Sequence, residues 1–122
     1  MTATIALDSP PATIYKPAPM DRIEQLQKFV AARPEDPFPR YALALEHKSR
    51  GEAQRAADEL AALTNQRPDY VPAYLILGQL HEQAGRTDDA RAVYRQGKAE
   101  AEKQGNRHAL SELSSSLEQL GG

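Results

Sequence analysis

Residues 40–56 read RYALALEHKSRGEAQRA, and residues 74–90 read YLILGQLHEQAGRTDDA. Set one above the other, Leu43, His47, Gly51 and Ala56 fall on Leu77, His81, Gly85 and Ala90, thirty-four residues on. The junction Arg33-Pro34-Glu35-Asp36 recurs in type as Arg67-Pro68-Asp69-Tyr70. Within each unit apolar residues return every three or four positions on both sides of the glycine, which reads as two amphipathic helices broken by a turn. Such units cannot bury their apolar faces alone, so a fixed period predicts a stack in which each covers its neighbour.

The first full repeat runs from Pro37 to Tyr70, with helices predicted over about 38–50 and 53–66. Asp36 is placed to cap it, and Pro37 and Pro39 sit in the first turn, where a missing N–H costs little. The second repeat starts at Val71, with helices over about 72–84 and 87–103. Thr87 is the expected cap of the latter, Asp88 and Asp89 favour its N-terminal dipole, and Gly105 ends it. Upstream, Asp21 and Glu24 form a capping-box pattern before Ile23, Leu26, Phe29 and Val30, giving a helix over about 21–32. In repeat register this is the second helix of a half repeat. Downstream, Asn106 caps a helix over about 107–119 whose Leu110, Leu113, Leu117 and Leu120 recur at three and four. Packing on the second repeat and a dimer seam are the two uses of that stripe.

Residues 1–20 differ from the rest, because Pro10, Pro11, Pro17 and Pro19 exclude helix over most of the segment. It reads as a disordered leader or as an extended arm lying on its own domain, with Ile14 and Tyr15 as intramolecular ligands. The domain proper is 21–119.

The composition narrows the function. The net charge is −2, with basic residues interspersed among acids, which argues against nucleic acid or an anionic membrane as partner. There are no cysteines, so no disulfide or Cys-based metal site is available. No run approaches the ~20 apolar residues of a membrane span, and the N-terminus lacks a secretory pattern; the expected location is cytoplasmic. Aromatic residues are only 6% and alanines are common, which favours helices packed closely through small side chains.

These residues resemble the tetratricopeptide repeat (TPR) family over about residues 21–119. In the second repeat the family's pattern is met by Tyr74, Leu77-Gly78, Gly85, Ala90 and Tyr94. His81 stands for the usual Tyr, Gly97 for a common Ala, and the closing Pro is absent. The first repeat is looser, with Arg40 at the large-aromatic position and Ala44 at the Gly. The resemblance implies an all-α, right-handed α-α superhelix of a half repeat, two full repeats and a C-terminal capping helix, preceded by the proline-rich arm. First helices would line a concave groove through Phe38, Tyr41, Leu45 and Lys48, then Pro72, Leu75, Gln79 and Glu82. His108, Ser111 and Ser115 would join them once the register of the last helix is slid by two. One family subclass grips a chaperone carboxylate with Lys and Asn at positions that here are Tyr41, Leu45 and Ile76. That clamp is absent.

No chemistry competes with a binding role. His47 and His81 occupy equivalent sites on neighbouring first helices, where a polar ring replacing Tyr explains them, and sequence positions no third metal ligand. Asp88-Asp89 and Glu35-Asp36 sit at helix starts, where capping suffices. Ser114-Ser115-Ser116 has no Gly elbow, and there is no glycine-rich phosphate loop. The reading is a non-enzymatic adaptor, without metal or cofactor, that binds an extended protein or peptide segment. Phe38, Tyr41, Leu45 and Leu75 would supply apolar contact, and Lys48, Gln79, Glu82 and His108 polar contact. The alternative is a self-associating, dimeric scaffold that uses the groove or the leucine stripe.

Overall fold

In the computed structural model, which describes residues 18–122, prolines and glycines punctuate a run of six helices. These are α1 (Ala18–Ala32), α2 (Pro37–Ser49), α3 (Ala53–Gln66), α4 (Pro72–Gln83), α5 (Thr87–Gln104) and α6 (Arg107–Gln119). No strand occurs among the described residues. Ile14 and Tyr15 lie outside them.

The turns follow from local chemistry. Asp36 accepts from the Phe38 N–H at 3.0 Å, and Asn106 accepts from the Ala109 N–H at 3.1 Å, so both cap as their sequence suggests. Gly51 and Gly85 take φ of +83° and +80° after α2 and α4, a region that costs a side chain dearly. The N–H groups of Glu52 and Arg86 then turn back to the carbonyls of His47 and His81, closing each helix by the same left-handed turn. Two expectations are corrected. Thr87 is the first residue of α5, not its cap; Arg86 holds the cap position and makes no side-chain capping bond. The first helix starts at Ala18, so Asp21 lies inside it.

Each helix packs on the next, and α4 also touches α6. One core lies between the first full pair and α4: Ala44, Ala56, Ala57, Leu60, Leu63, Ala73, Leu77 and Leu80. The other joins α4, α5 and α6 through Tyr74, Ala90, Tyr94, Ala101, Leu113 and Leu117. The alanines let backbones approach closely, and Gly78 and Gly97 take this further, facing the rings of Tyr94 and Tyr74. The leucine stripe is therefore spent indoors, with Leu113 and Leu117 buried and Leu110 and Leu120 packed on the same core.

Successive repeats are also tied by polar bonds. Arg67 donates to the Glu35 carbonyl at 2.9 Å while pairing with Asp69, so the two Arg-Pro junctions grip one another. Arg91 and Arg95 of α5 donate to the carbonyls of Leu120 and Gly122, which the end of α6 leaves free.

Candidate partner-binding groove

Helices α4 and α6 run side by side in the same direction, and two clefts open along their shared face. The first is lined by Tyr41, Pro72, Leu75, Ile76, Asn106, His108, Ala109 and Glu112, with Val71 and Leu113 beneath. Its volume is about 220 Å³, and since a cavity of ~150 Å³ can hold benzene, it has room for one large side chain. The second lies further along the same two helices, between Gln79, Glu82 and Gln83 on α4 and Ser116 and Gln119 on α6, with Tyr94 of α5 beneath. The face thus begins apolar and becomes polar.

Its side chains are held from behind. The rings of Tyr41 and Tyr70 meet edge to face with centroids 5.5 Å apart, an arrangement that fixes Tyr41 at the rim. Burial pushes the Tyr41 phenol up from its ordinary pKa. The Tyr94 hydroxyl donates to Glu82 Oε2; burial first, and then that carboxylate, hold the phenol far above its usual range. Near the mouth of the first cleft, His108 Nε2 stands 3.6 Å from Glu112 Oε1. The lining of the two clefts contains two carboxylates, Glu82 and Glu112, and no lysine or arginine.

The residues singled out from the sequence are not all brought together. Tyr41, Leu75 and His108 share the first cleft with Pro72. Gln79 and Glu82 share the second. Leu45 and Lys48, half-buried on α2, lie outside both. Phe38 departs furthest: it is 59% exposed and sits with Leu26, Phe29, Arg33 and Pro39 where α1 meets the start of α2. There it lines a cleft beside α1 and neither of the clefts on the α4–α6 face. On α6, Ser111 and Ser115 are exposed, and Ala109, Glu112 and Ser116 face α4 in their stead. The sequence reading missed Ile76, Asn106, Ala109 and Glu112. Ala109 and Ser116 stand thirty-four residues after Leu75 and Glu82, so the repeat period holds through α6 and the two-residue slide of its register pointed to Ser111 and Ser115 instead.

The equivalent histidines have unlike partners. His47 is buried and its Nδ1 lies 2.6 Å from Glu52 Oε1. His81 Nδ1 accepts from Arg86 Nε at 3.2 Å. Burial, and then the Arg86 charge, lower the His81 pKa, whereas the bond to His47 lowers that of Glu52. Positions 52 and 86 carry the helix-capping role in the repeat but spend their side chains on the histidine five residues back. Both rings are thereby part of the scaffold.

A tetratricopeptide repeat family model matches residues 48–113. A TPR repeat-containing protein of Pseudomonas aeruginosa is 32% identical over 98 residues, spanning 80% of this chain and 93% of its own. The crystal structure of a tetratricopeptide repeat domain protein from Salinibacter ruber aligns with a TM-score of 0.69 and 44% identity, over 72% of this chain and 98% of that one. The solution structure of a Bordetella parapertussis protein aligns at 0.68 and 24% identity, over 81% and 86%, which is a likeness of fold alone.

Proposed function

The chain belongs to the tetratricopeptide repeat family, whose members generally serve as scaffolds for protein–protein interaction, and from that premise we propose that it is a non-enzymatic binding module. Its ligand is an extended peptide segment of a protein partner, seated along the α4–α6 face. The observation that carries this reading is the cleft of Tyr41, Pro72, Leu75, Ile76 and Ala109, apolar and open to solvent beside side-chain amides and carboxylates. Concave apolar pockets with a few convergent polar groups are where ligands bind, and the amides of Gln79 and Gln83 suit the N–H and C=O groups of an extended backbone.

Peptides selected by the full chain from a random displayed library test this. They are expected to lose binding to a Tyr41→Ala/Leu75→Ala variant whose helical content is intact. Equal binding to that variant would refute the groove. A synthetic peptide of residues 1–17 that displaces the selected peptides would make the chain's own arm, with Ile14 and Tyr15, the occupant. The dimeric scaffold is the reading to adopt if light scattering gives a stable dimer that the same double variant breaks.

A further inference from the structure

Resting on that groove reading, we infer that the partner segment is basic: a large apolar residue followed or preceded, three or four positions away, by Lys or Arg. The apolar cleft has room for one large side chain, so there is a single anchor. Along α4, Leu75 and Glu82 are seven residues apart, about 10 Å at the helical rise of ~1.5 Å per residue. An extended strand advances about 3.3 Å per residue, so an anchor at Leu75 and Ile76 brings the third or fourth neighbour to Glu82.

The charge of that neighbour follows from the lining. The carboxylates of Glu82 and Glu112 stand on the face, and neither Lys nor Arg lines either cleft. Glu82 is fixed in place by the Tyr94 hydroxyl, so an incoming cation meets a positioned acceptor. Glu112 lies at the anchor end beside His108. An acidic peptide would place like charges together on this face. The polarity is opposite to that of a groove that grips carboxylates with lysine.

The library selection decides this with the full chain and two further proteins. Peptides enriched for Lys or Arg three or four positions from a Leu, Phe, Tyr or Trp support the inference. A Glu82→Gln/Glu112→Gln variant, in which the amide at 82 still accepts from Tyr94, should then bind them about five-fold more weakly, the upper end for one ion pair at an open rim. Their Lys/Arg-to-Ala analogues should be unaffected by the same variant. Enriched peptides that are acidic or neutral, yet need Tyr41 and Leu75, overturn the charge rule and leave the groove standing. Peptides indifferent to Tyr41→Ala/Leu75→Ala, or no enrichment at all, remove both.

Discussion

A Cβ on Gly78 would lie 2.2 Å from Cε1 of Tyr94, closer than any real contact, so α4 and α5 meet at a separation that only glycine permits. Tyr94 is fully buried and tethered to Glu82, and its ring has no room to retreat. Ala is the better helix former by ~1 kcal/mol, yet Gly78→Ala is expected to destabilise the fold by about 1–3 kcal/mol, as overpacking does. Urea denaturation checks it; an unchanged midpoint would mean that α5 moves freely.

Leu113 tests what the leucine stripe is for. It is 1% exposed against α4 and α5, so Leu113→Ala should cost about 2–5 kcal/mol. A stripe held for self-association would instead give a folded monomer of near-native stability. Phe38→Ala supplies the contrast: with 59% of its surface already exposed, the residue should shift stability by less than about 1 kcal/mol. Peptide binding at the α4–α6 face should be untouched, because Phe38 lines the cleft beside α1 and neither cleft of that face.

What the sequence made legible, and what it did not, divides along one line. Gly51, Gly85 and Asn106 mark turns through their own backbone preferences, so local chemistry was enough to place the helices. Leu43, Leu77 and Leu113 mark the buried face through periodicity. The groove is a property of pairs of helices. Leu75 and Gln79 were legible because they lie opposite the buried stripe of their own helix. Ala109 and Ser116 face α4 thirty-four residues after Leu75 and Glu82, a register that the two-residue slide of the last helix hid. Phe38 fits the repeat register but has no preceding first helix beside it, so the register alone assigns it to the wrong neighbour.

His81 and Glu52 should separate in a pH titration of stability. The folded protein lowers the His81 pKa through burial and Arg86, so between the folded value and the ordinary ~6.5 the unfolded chain binds more protons. Stability then rises with pH through that window. This contribution is complete above the unfolded pKa and declines as pH falls below it. Glu52, lowered by its bond to His47, adds stability above its ordinary value near 4.5 that is lost only in more acidic solution. Melting temperature should thus fall in two stages, and His81→Gln should flatten the upper one. A profile level from pH 8 to 5.5 would dismiss the His81 assignment.

The Tyr94 phenol offers a readout at the other end of the scale. Burial and the Glu82 carboxylate both oppose the phenolate, because the charge would be desolvated and would face another negative group. An acid whose folded pKa is raised stabilises the fold below its unfolded pKa of ~10 and withdraws that support as pH climbs past it. Followed by ultraviolet absorbance, the chain's tyrosines should ionise in two classes. Tyr94 should stay protonated until the helices melt, so its ionisation and the loss of helical ellipticity coincide. Replacing Glu82 with Gln keeps the hydrogen-bond acceptor and removes the charge. In that variant the alkaline unfolding midpoint should move up, because burial alone then opposes the phenolate. An identical midpoint in both proteins would mean that the carboxylate does not act on the ring.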